Sequence, residues 1–192
     1  MMHRFTTELL QIYTAHGSAD YIGEPITQQS HMLQAAYMAM KSGADNELIL
    51  AAFFHDIGHL CANDDAPKMD GLGIVDHEGI GARFLASRGC STRLCTLVES
   101  HVQAKRYLCW KNPKYLAQLS EASRGTLEFQ GGPMTTEEAN EFTNRKDYHD
   151  ILRLRVWDEQ AKIENGEEMD WNLLTTILND HICSRGTHEN SE

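Results

Sequence analysis

The sequence predicts an all-α fold, one helical bundle with a dinuclear metal site in its core. Three observations lead there. Apolar residues recur at three- and four-residue steps along most of the chain, and no segment alternates strongly enough for a sheet. The run Leu48-Ile49-Leu50-Ala51-Ala52-Phe53-Phe54 is apolar nearly all round, the mark of a helix buried inside a bundle. That run leads straight into His55-Asp56-Ile57-Gly58-His59, where a hydrophobe or a glycine would be expected. A buried carboxylate is costly unless it is paired or holds a metal. Neighbouring His and Asp side chains on a helix point roughly 100° apart, at ~3.6 residues per turn, so both reach one ion or two adjacent ions. Taken alone, such a pair reads more readily as a core histidine beside a capping aspartate.

The 192 residues fit one domain spanning 1–192, with a polar tail from about residue 185. A formal net charge of −11 leaves no basic stripe for phosphate backbones, which argues against a nucleic-acid partner. The five cysteines, Cys61, Cys90, Cys95, Cys109 and Cys183, are odd in number and form no C-x-x-C pair. They read as free thiols in a reducing compartment. No leader-like N-terminus is seen, nor any run near the ~20 apolar residues of a membrane span. The expectation is a cytoplasmic protein; the pattern selects no oligomeric state.

In chain order, Thr6 or Thr7 is expected to cap a first helix through about Ala15. Tyr21-Ile22-Gly23-Glu24-Pro25 is a loop, because Pro25 disfavours helical dihedrals at Glu24. A second helix, from about Thr27 to Lys41, carries His31 and stops at Gly43. After the His-Asp segment, residues 60–76 hold two glycines, a proline and four aspartates without a steady period, the pattern of a functional loop or lid. Asp76 is expected to cap a helix opened by His77 and ended by Arg88-Gly89. Ser91 caps the next, on which Leu94, Leu97, Val98, His101 and Lys105 share a face. Lys105 either snorkels to solvent or places a charge beside a metal ligand. A short helix follows Pro113, and residues 120–134 read as irregular up to Gly131-Gly132-Pro133. Thr135 with Glu138 makes a capping box. From Tyr148 a helix sets Ile151, Leu154, Arg155 and Asp158 on one face. Asp170 caps the last helix, with a core face of Leu173, Leu174, Ile177, Leu178 and His181.

Five expected helices thus each bring a metal-competent residue to an apolar face: His31, His55 with Asp56, His77, His101 and Asp158. Bundle cores build dinuclear sites from such inward residues on separate helices. Four imidazoles and two carboxylates suit iron, manganese or zinc, and spacing does not choose among them. An aspartate between two ions would bridge them, and Asp56 is the natural candidate. His3, His16 and His188 lie in terminal or polar stretches, and His149 and His181 read as surface or filler residues.

The order His31, His55-Asp56, Asp158 resembles the H…HD…D signature of the HD-domain superfamily. The added His77 and His101 resemble its branch of mixed-valent di-iron oxygenases. Within that branch the similarity is to the 2-amino-1-hydroxyethylphosphonate dioxygenases. It runs through Asp20-Tyr21-Ile22-Gly23-Glu24, Ala66-Pro67-Lys68-Met69-Asp70-Gly71, Lys105-Arg106-Tyr107-Leu108-Cys109 and Gln130-Gly131-Gly132-Pro133-Met134, of which the last two are the most specific.

The resemblance implies one iron on His31, His55, Asp56 and Asp158, and a second sharing Asp56 with His77 and His101. It also implies an Fe(II)/Fe(III) pair with O2 as co-substrate, cleaving the C–P bond of (R)-2-amino-1-hydroxyethylphosphonate or an N-methylated analogue. The products would be phosphate and glycine or an N-methylglycine. His59, Lys105, Ser123 and Arg155 would hold the phosphonate, while Tyr21 and Glu24 would gate the site and meet the amine. Three inward basic groups in an acidic protein agree with an anion pocket. The competing readings are an HD-domain phosphohydrolase acting on nucleotides or other phosphate esters, an inositol-cleaving di-iron oxygenase, and a non-catalytic binding module.

Overall fold

The computed structural model describes residues 2–21 and 23–186, so the expected tail beyond 186, with His188, lies outside the described residues. Eleven helices are seen among them and no strand: α1 (Arg4–His16), α2 (Gln28–Lys41), α3 (Asn46–Phe54), α4 (Gly58–Cys61), α5 (His77–Ala86), α6 (Thr92–Lys111), α7 (Pro113–Gln118), α8 (Glu121–Phe129), α9 (Thr136–Thr143), α10 (Tyr148–Gln160) and α11 (Trp171–Gly186).

The centre is α3, in which every residue from Leu48 to Phe54 is buried. It packs against α2, α6, α10 and α11, while α5 lies along α6. A helix apolar on all sides has no other stable place in water. Caps fall where short polar side chains allow them. Thr27, Asp45, Ser91 and Ser120 each accept a backbone N–H two or three residues into their helices, and Thr135 with Glu138 closes a capping box.

Several local expectations are corrected. His3, not Thr6 or Thr7, caps α1, accepting from the Phe5 N–H, and Thr6 is instead buried against Asn179 of α11. Asp76 makes no capping bond; it sits at φ 57° and pairs with Arg83. Residues 121–129 are helical rather than irregular: Ser120 caps them, and Leu127 joins Leu119 and Cys109 in a small second core. Leu173 faces outward at 42% exposure, leaving Leu174, Ile177 and Leu178 as the core face of α11.

Two loops close over one end of the bundle. The first is pinched by an isolated bridge between Asp20 and Thr27, the second by one between Lys68 and Ile74. Gly58 lets the start of α4 reach α5, because a Cβ there would meet the His77 carbonyl oxygen at 1.9 Å.

Candidate metal centre and anion cavity

The structure brings the six expected ligands together. His31 stands on α2, His77 opens α5, His101 lies mid-α6 and Asp158 in the last full turn of α10. His55 and Asp56 occupy the turn between α3 and α4 rather than a helix interior, so the carboxylate projects into the space between the others. All six are buried.

Backbone carbonyls set the imidazole tautomers. His31 Nδ1 lies 2.8 Å from the Ala161 oxygen, His55 Nδ1 2.8 Å from Ala52, and His101 Nδ1 2.7 Å from Val98. Each Nδ1 therefore donates to a carbonyl, which turns each Nε2 toward the cluster. Yet the His31 and His55 Nε2 atoms face each other at 3.1 Å, and His77 and His101 Nε2 do the same at 3.1 Å. Ring nitrogens so close need positive charge beside both, either a metal ion or protons shared with Asp56 and Asp158. His77 Nδ1 lies 3.3 Å from the Glu78 carboxylate, an ion-pair distance without hydrogen-bond geometry.

Asp56 divides its two oxygens between these pairs. Oδ2 is 3.4 Å from His55 and 3.8 Å from His31; Oδ1 is 3.2 Å from His77 and 3.5 Å from His101. Asp158 Oδ1 stands 3.4 Å from His31 and 3.7 Å from His55. Two ligand groups result, His31–His55–Asp56 and Asp56–His77–His101. Burial alone would raise the Asp56 carboxyl, but the charge of His55 and hydrogen bonds from His101, His55 and His77 hold it well below the usual carboxylate range. Asp158 is likewise raised by burial but held low by Arg155, His31 and His55. The donor set, nitrogen and oxygen with a shared carboxylate, fits two divalent or trivalent ions of the iron, manganese or zinc kind.

A cavity of about 320 Å³ opens onto this cluster. Its floor is Asp56, His77, His101 and Asp158, and the two pinched loops form part of its walls. Tyr21 stacks on His31 at 4.0 Å and hydrogen-bonds Asp56. His59 stacks on His77 at 4.1 Å, and its Nδ1 accepts the Ile74 N–H at 3.1 Å. The remaining proton is therefore on His59 Nε2. Burial and the neighbouring His77 push its pKa down to about 3, so the ring is a neutral donor.

Lys105 does not snorkel. It is 4% exposed and its Nζ donates to Thr126 Oγ1 at 2.8 Å. Burial, helped by Arg155, lowers its pKa to about 7. Arg155 lines the cavity with its fork engaged: Nε donates to Tyr115 Oη at 2.9 Å, and the terminal nitrogens contact Asp158 and Glu159. Ser123 and Glu24 also line it. Sequence reasoning missed Thr126, which lies on the helix read as irregular, and Lys162, whose Nζ is 3.2 Å from Glu24 Oε1. The spacing Ser123-x-x-Thr126 could have suggested a hydroxyl pair on one helical face. No comparable signal marks Lys162.

Comparison with known proteins agrees with this geometry. The HD domain family model matches residues 29–138. The [1-hydroxy-2-(trimethylamino)ethyl]phosphonate dioxygenase (glycine-betaine-forming) of Leisingera caerulea is 39% identical over 167 residues, 86% of this chain and 85% of that protein. The hydroxymethylphosphonate dioxygenase of Gimesia maris is 39% identical over 159 residues, 82% of this chain and 78% of that protein. An uncharacterized protein of Acanthamoeba polyphaga mimivirus is 44% identical over 156 residues, 81% of this chain and 71% of that protein.

Proposed function

The chain belongs to the HD-domain family, and from that membership we propose that it is a di-iron dioxygenase cleaving the C–P bond of a small 1-hydroxyphosphonate. The substrate we infer is (R)-2-amino-1-hydroxyethylphosphonate or an N-methylated analogue, giving phosphate and glycine or an N-methylglycine. The observation that carries the reading is the division of Asp56 between two imidazole pairs, directly beneath a cavity supplied with anion-binding groups. Both homologues with stated activities are dioxygenases of 1-hydroxyphosphonates.

Two bound iron ions would supply the redox chemistry with dioxygen that a hydrolase lacks. Overall, the hydroxyphosphonate and O2 give a carboxylate, phosphate and one proton, a four-electron oxidation at C1. The chain's own residues bind and orient. His59 Nε2–H, the Lys105 ammonium and the Ser123 hydroxyl form a donor set for the three phosphonate oxygens, while Thr126, whose hydroxyl donates to the Ser123 carbonyl, holds the ammonium in place. Arg155 adds positive charge while fixing Asp158. Tyr21, lying over His31 and bonded to Asp56, covers the ligand cluster and must yield when substrate enters. Glu24 faces the C1 substituent and can accept from an ammonium group. Tyr21 is the only Phe, Tyr or Trp among the described lining residues, so a trimethylammonium would find no aromatic cage.

The test is phosphate release by iron-loaded protein from 2-amino-1-hydroxyethylphosphonate, its N-trimethyl form and hydroxymethylphosphonate, against a panel of phosphate monoesters. Oxygen-dependent release from the phosphonates, with the primary amine ahead of the trimethyl form, supports the reading. Hydrolysis of the esters without oxygen would replace it with a phosphohydrolase.

A further inference from the structure

Lys162 stands just past the end of α10, in the link that follows Ala161. Its Nζ is 3.2 Å from Glu24 Oε1, 3.5 Å from Ser123 Oγ and 5.7 Å from the centre of the Tyr21 ring. Both side chains of the ion pair are only 14% exposed. This is therefore no solvated surface pair of negligible worth. Glu24 Oε1 is shut off from solvent and takes no hydrogen bond, so Lys162 is what compensates its charge there.

We propose that Lys162 is a specificity residue: as the built-in counter-ion of Glu24, it neutralises the end of the cavity that receives the C1 substituent, and so lets the site accept small 1-hydroxyphosphonates without an amine. The inference rests on the proposed function and refines its substrate class. A carboxylate left alone in so confined a place would have to take up a proton or gain a cation, and an ammonium-bearing substrate supplies the cation. With Lys162 present, a neutral substituent meets a pair whose charges already offset each other. An incoming ammonium must share Glu24 with Lys162 and bear the repulsion of a like charge. The contact with Ser123 places the same lysine beside a phosphonate-binding candidate, so it spans the two ends of the ligand.

The test is calorimetric titration of the full-length, iron(II)-loaded protein without oxygen, so that binding is read without turnover. The ligands are 2-amino-1-hydroxyethylphosphonate and hydroxymethylphosphonate. In Lys162→Met the ratio of the two Kd values should move toward the amine by about tenfold. Lys162→Gln, which keeps a donor but no charge, should move it the same way and stands in if the first variant folds poorly. In a Glu24→Gln background neither change should move the ratio, because no carboxylate remains to be neutralised. General damage to the site cancels in a ratio. An unmoved ratio in the Lys162 variants, or an equal shift without Glu24, overturns the inference alone. Wild type that binds neither compound overturns it together with the proposed function.

Discussion

Each oxygen of Asp56 faces a different pair of imidazoles, so its loss should be felt at two sites at once. In Asp56→Ala, metal content should fall toward zero, whereas His101→Ala should keep the ion held by His31, His55, Asp56 and Asp158. Metal analysis of the purified variants is the check; two ions retained by Asp56→Ala would mean that another group bridges them. In the proposed function Lys105 meets the substrate rather than the metals. Removing a charge-assisted contact to the phosphonate costs about 1.5–3 kcal/mol, so Lys105→Ala should raise the dissociation constant roughly ten- to a hundredfold with both metals in place. Its pKa of about 7 adds a pH signature. Lysine binds the anion as the ammonium, so affinity should decline as pH rises through about 7, and binding at pH 8 should take up a proton. Calorimetry in buffers of different ionisation enthalpy measures that uptake; none at pH 8 would remove Lys105 from the anion site.

At the scale of elements, the geometry depends on close approaches that only small residues permit. A Cβ on Gly58 would lie 1.9 Å from the His77 carbonyl oxygen, a backbone atom with no freedom to turn aside. Gly58→Ala should therefore separate α4 from α5 and cost about 3 kcal/mol, a fall in Tm of roughly 6–12 °C measurable by thermal melting. An unchanged Tm would show that the two helices can part freely. The sequence made α3, α5, α6 and α10 legible because their apolar faces repeat over several turns, and the buried polar residues on those faces marked the ligands. It obscured α8, where Ser123 and Gly125 lower helix propensity. At that glycine the Leu72 side chain packs 2.5 Å from where a Cβ would be, and the fold restores the helix through the Ser120 cap and the burial of Leu127. Lys162 was illegible for a different reason. Its partner Glu24 is far away in sequence, and no periodicity links a loop residue to the link beyond a helix.

For the whole molecule, an acidic protein turns several basic groups toward one cavity. With a formal net charge of −11, the protein still turns Lys105, Arg155 and Lys162 toward one cavity above six metal-competent side chains. That arrangement favours a small anionic substrate enclosed beside two metal ions, but a hydrolase of the same family could use the same ligands to activate water. The reactions differ at carbon: only oxidative cleavage adds an oxygen atom to C1, and that atom comes from O2. The decisive measurement is turnover of 2-amino-1-hydroxyethylphosphonate by the iron-loaded protein under 18O2 in unlabelled water, with mass spectrometry of the products. Oxidative cleavage predicts phosphate release that stops without O2 and a glycine whose carboxylate carries an 18O atom. Phosphate released equally well under argon, with no label in the carbon product, would contradict it.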